Sequence, residues 1–89
     1  MKEAYLEVTF RRGRAIAAYY YVPRRSGEKS VRTVRIEPGL LVDFNRSGNP
    51  IGIEITAPDK ITRPLLNRVL KDLGLPVLKP KDLAPLKVA

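Results

Sequence analysis

The chain has no cysteine and no histidine. Without cysteine there is no disulfide, no thiol nucleophile and no thiolate metal site, as in proteins that work in a reducing compartment, so the expected location is the cytoplasm. Without histidine, acid–base catalysis near neutral pH and imidazole ligation of metals lose their commonest residue. No apolar run approaches the roughly 18 residues that a membrane-spanning helix needs. The opening MKEAYLEVTF carries early charges and then alternates, which is not the pattern of a secretory signal. Phosphate-cradling loops are missing too: RRGR and RSGN hold single glycines, and serines 26, 30 and 47 have no base to activate them. Neither an enzyme nor a bound cofactor is expected. Acidic residues are scarce, with nine Asp and Glu against 17 Lys and Arg, a formal net charge of +8. That balance favours polyanionic partners, either nucleic acid or acidic protein surfaces.

At 89 residues the chain is one domain with a modest core. Residues 1–56 read as antiparallel sheet. Over 4–10, Leu6, Val8 and Phe10 share one face and Tyr5, Glu7 and Thr9 the other. Gly13 then permits a tight reversal. The second strand, 14–22, is apolar on both sides: Ile16, Ala18, Tyr20 and Val22 against Ala15, Ala17, Tyr19 and Tyr21. A strand of that kind is central and covered twice. A basic loop, PRRSGEKS, leads to a third strand over 31–37, and EPG turns into a hairpin of strands 40–44 and 51–56. In that hairpin Leu40, Val42 and Phe44 face the core with Ile51, Ile53 and Ile55.

The period then changes from two to 3.6. Ile61, Leu65, Leu66, Val69, Leu70 and Leu73 form one stripe of a helix within 61–74, opposite Arg63, Asn67, Arg68, Lys71 and Asp72. Thr62 is the expected N-cap and Gly74 the stop. The tail, 75–89, is Pro-rich yet apolar, so it is expected to be ordered, with a short helical turn starting near Pro80 or Lys81. The fold class is therefore α+β: a small antiparallel β-meander of four to five strands with one C-terminal helix packed on one face, that of Leu6, Val8, Val42 and Ile53.

The stretch VRIEPGLLVDFNRSGNPIGIEITAPDK resembles a bacterial family known as domain of unknown function 2283. The matching positions are Pro38, Gly39, Val42, Asp43, Gly48, Ile51, Gly52, Ile53, Glu54 and Ile55. The helix and LGLPVLKPKDLAPL also look like the ending of some members, so the likeness runs over roughly 31–86. The front departs from the family's pattern, with RRGRAIAAYYY where members tend to be acidic. Some members sit beside toxin-like proteins, and the resemblance implies an antitoxin-like role.

Asp43 and Glu54 are the carboxylates shared with the family's pattern. Asp43 should lie opposite Gly52 and diagonal to Glu54, on the face away from the apolar stripe. Two carboxylates fall short of the six or more oxygens that a hard cation takes. They are expected to pair with basic residues such as Arg35 or Arg46. Gly52 is expected where a neighbouring side chain or backbone comes close. The hairpin is thus scaffold. Arg11, Arg12 and Arg14 at one strand end, and Arg24, Arg25, Lys29 and Arg32 at the other, are the candidate nucleic-acid contacts, about 30 Å apart along a nine-residue strand. Tyr5, Tyr19 and Tyr21 offer stacking surfaces. Ala17, Tyr19 and Tyr21 form the candidate face of a homodimer, because a single sheet would leave them exposed unless the tail covers them. The expected function is a non-enzymatic interaction module that binds a protein partner through a sheet face or the tail. The alternative is nucleic-acid binding through the arginine-rich loops.

Overall fold

A computed structural model describes residues 4–23 and 28–87 of the chain. Five strands, β1 (Tyr5–Arg11), β2 (Arg14–Tyr21), β3 (Arg32–Glu37), β4 (Leu40–Phe44) and β5 (Pro50–Ile55), form one antiparallel sheet. Small helices follow: a 3₁₀ turn at Pro58–Lys60, α1 (Arg63–Asp72), a second 3₁₀ turn at Pro80–Leu83, and α2 (Ala84–Lys87). The domain is mostly β.

The strand order is β1-β2-β5-β4-β3, so the sheet is not the simple meander that the sequence suggests. The doubly apolar β2 does lie inside the sheet, but its second neighbour is β5 and not β3. Composition explains the choice. β5 brings Ile51, Ile53 and Ile55, which are 2%, 0% and 0% exposed, whereas β3 carries Arg32, Thr33 and Arg35 and suits an edge, where charge discourages further pairing. Tyr21, at the end of β2, and Arg32, at the start of β3, therefore stand three inter-strand spacings apart, about 14 Å.

Alternation puts one row of apolar residues straight across all five strands, Leu6–Tyr20–Ile53–Val42–Val34. Leu40, Val42, Ala18 and Tyr20 are buried beside Ile53 and Ile55, and Leu66, Val69 and Leu70 of α1 belong to the same cluster. Leu6, Val8 and Phe44 reach it from its margins. Phe10 does not follow Leu6 and Val8 inward. The register slips between Thr9 and Phe10, and Phe10 remains 46% exposed.

Local signals set the ends of α1. The Thr62 hydroxyl accepts from the Leu65 amide at 3.3 Å, and Pro64 occupies the first turn, where a missing donor costs nothing. At the other end Gly74 sits at φ +75°. The Leu75 amide reaches the Leu70 carbonyl at 2.8 Å and the Gly74 amide reaches that of Lys71 at 3.0 Å, the paired bonds of a Schellman cap. Beyond it the tail is held by Asn67. Its amide donates to the Leu78 carbonyl at 3.1 Å and accepts from the Leu78 amide at 2.7 Å, so one side chain satisfies both backbone groups of a buried residue. Leu78 and Leu83 then bury themselves in the cluster that holds Tyr20 and Val22. The described part of the tail therefore serves the core side. Burial pushes the Tyr20 phenol above its ordinary value of 10.0, and the nearby Asp82 adds to the effect. The unfolded phenol ionises first, so stability is unaffected below that value and falls as pH rises past it.

The helix stripe makes its own test. Leu66 is fully buried, while Arg68 is exposed and meets Glu37 at 3.1 Å on the surface. Leu66→Ala should cost about 2–5 kcal/mol in denaturant unfolding, and Arg68→Ala under about 1 kcal/mol. Asn67→Ala removes both bonds to Leu78 and should cost about 1–3 kcal/mol. It should also raise amide exchange selectively from Leu78 to Leu83.

Candidate interaction face

On the side away from the buried cluster, the strand registers assemble two rows across the sheet. One reads Arg35–Leu41–Glu54–Tyr19–Glu7, and its neighbour reads Thr33–Asp43–Gly52–Tyr21–Tyr5. Leu41 follows Leu40 directly, so once Leu40 points into the core Leu41 must emerge here; the doubled leucine was the available signal. Leu41, Tyr19 and Tyr21 are half-buried, Glu7, Glu54, Thr33 and Arg35 are exposed, and Tyr5 is 48% exposed.

The two rows are tied together at Gly52. Tyr19 leans diagonally from its own row across this glycine, and a Cβ there would lie 2.0 Å from its Oη and 2.3 Å from its ring. The close approach expected at Gly52 is real, and a phenol makes it. Past the glycine, the Tyr19 hydroxyl donates to Asp43 Oδ2 at 2.6 Å, and the Thr33 hydroxyl donates to Oδ1 of the same carboxylate. Asp43 thus sits opposite Gly52 as expected, but hydroxyls and not Arg35 or Arg46 are its partners. Both of its oxygens are engaged, and among the described residues no cluster of three or more acidic side chains assembles for a cation. Tyr21 stacks on Tyr5 with ring centroids 4.4 Å apart and 17° between planes, tilts against Tyr19 at 4.6 Å, and donates to Glu7 at 3.2 Å. The result is a continuous aromatic surface across β1 and β2, fixed at one end by Asp43 and at the other by Glu7.

The basic residues are placed elsewhere. Arg11, Arg12 and Arg14 are exposed around the β1–β2 reversal, beside the segment Thr56–Asp59. Lys29 lies at the opposite end of the sheet, near Asn45, Arg46 and Ser47. Arg32, at the start of β3, rests over the Phe44 ring with its guanidinium 4.9 Å from the centroid. Arg24 and Arg25 lie outside the described residues. The structure therefore places the first cluster at one end of the sheet and Lys29 and Arg32 at the other. Of the candidate dimer face, it brings Tyr19 and Tyr21 together and places Ala17 on the same side, opposite Thr9. Asn45 is a residue that sequence reasoning passed over. It is 8% exposed, its side chain accepts from the Asn49 amide at 2.9 Å and donates to Glu28 at 2.8 Å, and so it fixes the β4–β5 turn.

Residues 17–57 match the model of a family described as protein of unknown function (DUF2283). The resemblance read from the sequence is thereby established over just under half the chain. The match begins earlier than expected, inside β2, and it closes after β5, short of α1 and the tail. It includes Tyr19, Asp43 and Gly52, whereas Arg11, Arg12 and Arg14 lie outside it. No curated protein and no solved structure matches the chain.

If Tyr19 is what requires glycine at 52, the two positions must be coupled. Gly52→Ala alone should cost about 1–3 kcal/mol, because the ring has to leave its bond to Asp43. In a Tyr19→Ala background the same change should cost nothing, or stabilise slightly, since alanine suits a strand interior better than glycine. A double-mutant cycle in urea measures the difference. Additive effects would show that the phenol does not dictate the glycine.

Proposed function

We propose that this chain is a non-enzymatic interaction module that engages protein through the open face of its sheet, and that its first partner is a second copy of itself. The observation that carries the reading is the aromatic surface of Tyr5, Tyr19 and Tyr21, continued by Leu41, on the side away from the buried cluster. Tyrosine supplies large contact area with few rotatable bonds, and it is enriched where proteins meet. In this reading the helix and the tail close the core face, so both apolar sides of β2 are accounted for: one by the chain itself, the other by its partner.

The charges on the face support a partner of the same kind. One row begins with Arg35 on β3 and ends with Glu7 on β1. A surface with a base at one edge and an acid at the other is complementary to itself under a two-fold rotation, the arrangement that an isologous dimer uses. The dimer would be a cytoplasmic scaffold, and the family resemblance adds an antitoxin-like role in which that scaffold holds a second protein.

Sedimentation at tens of micromolar should give a dimer, and Leu41→Asp should give a monomer with unchanged far-UV circular dichroism, since Leu41 lies outside the buried cluster. A clean monomer of the unaltered chain at those concentrations would remove the self-association part of the reading.

A further inference from the structure

At the end of the sheet remote from Lys29, an open cleft of about 620 Å³ lies between the β1–β2 reversal and the segment that enters the first 3₁₀ turn. Its rim carries Arg11, Arg12 and Arg14, and its floor is apolar, with Ile16, Pro58 and Leu86. Ile16 is 46% exposed despite lying in a strand. We infer that this cleft is a docking site for an acidic protein segment anchored by an apolar side chain, a surface separate from the tyrosine face.

Charge is the first argument. Among the described residues Arg68 forms an ion pair with Glu37, whereas the side chains of Arg11, Arg12 and Arg14 make neither an ion pair nor a hydrogen bond. Three like charges gathered at one reversal repel one another, and an incoming carboxylate relieves that repulsion. Guanidinium groups also match carboxylates in a bidentate geometry that lysine does not provide.

The backbone is the second argument. Arg12 and Gly13 both have positive φ, +52° and +78°, as the tight reversal between Arg11 and Arg14 demands. Asn, Asp or Gly ordinarily fill the first of these positions, and a long side chain is held there against its preference. The Arg12 side chain is exposed, takes no part in the core and lines the cleft.

The floor decides the chemistry of the occupant. A phosphate backbone gains nothing from Ile16, Pro58 and Leu86, and no aromatic ring lines the cleft on which a base would stack. Asp59, also on the rim, opposes dense negative charge but tolerates a peptide whose acids are spaced. An acidic segment with a leucine-like anchor uses both the rim and the floor.

The full chain should be titrated against fluorescein-labelled 12-residue peptides by anisotropy. One alternates Glu with Leu, one is all Glu, one alternates Lys with Leu, and a mixed-sequence DNA oligonucleotide completes the set. The Glu/Leu peptide should bind best. Replacing Arg11, Arg12 and Arg14 together by Ser should weaken it at least tenfold, and Ile16→Ser should weaken it severalfold. Arg12→Asn, a variant expected to fold at least as well because it relieves the backbone, should raise Tm while lowering affinity. Arg63→Ser on α1 serves as the charge control and should change little. Equal binding of the all-Glu peptide, tighter binding of the oligonucleotide, or an unaffected triple variant with native circular dichroism would each overturn the inference. The tyrosine-face variant Leu41→Asp should bind the peptide as the unaltered chain does, so failure of the dimer and failure of the cleft are read separately.

Discussion

A phenol laid across a glycine is the contact that organises the upper surface of this sheet. Tyr19 can reach Asp43 only because Gly52, on the strand between them, has no side chain. The hydroxyl joins β2 to β4 over the top of β5, so three neighbouring strands are fixed in register by a bond that no backbone ladder supplies. Thr33 extends the link to β3 through the same carboxylate. With Tyr19 held at that angle, Tyr21 can tilt against it and stack on Tyr5, and the aromatic surface reaches the edge strand. A carboxylate in a charge-assisted bond to a hydroxyl gives up little solvation on a half-open face and gains direction.

Much of this was legible from local pattern. The alternation of β4 and β5 identified their core residues, and Thr62 and Gly74 marked the ends of α1, because these features depend on neighbours a few positions away. Gly52 could be read as a place of close approach from its position in a strand. What approached it could not, since that depends on β2 lying next to β5, a pairing between residues such as Tyr21 and Gly52 that no periodicity encodes. The same ignorance of strand order made arginine the natural expectation for Asp43. Arg35 is in fact one row away, beside Leu41, and Thr33 takes the place opposite Asp43. Polarity alone puts Asn67 on the solvent side of its helix, yet it is the residue that receives the tail. A polar side chain at a stripe's margin serves water and backbone equally well, and only the path of the tail distinguishes them.

The surplus of positive charge is not spread evenly. One row of the open face sets Arg35 and Glu7 at its two edges with Glu54 between them, while the ends of the strands collect arginine and lysine. Gathering like charges at opposite ends of the sheet lowers their mutual repulsion in a small domain that carries a net charge of +8.

The strand order also divides the chain into a local and a non-local part. β1 with β2, and β3 through β5, each close through short reversals, and such units form in microseconds. Only the β2–β5 ladder joins residues far apart in sequence, Ala18 with Ile55 and Tyr21 with Gly52. Among the strand pairings that ladder closes the longest loop, so by topology it is the pairing expected to form last. Side chains bridging it, Tyr19 to Asp43 above and Tyr20 against Ile53 below, act on the barrier between two preformed halves. The rate at which this protein is born folded is thus written into one seam.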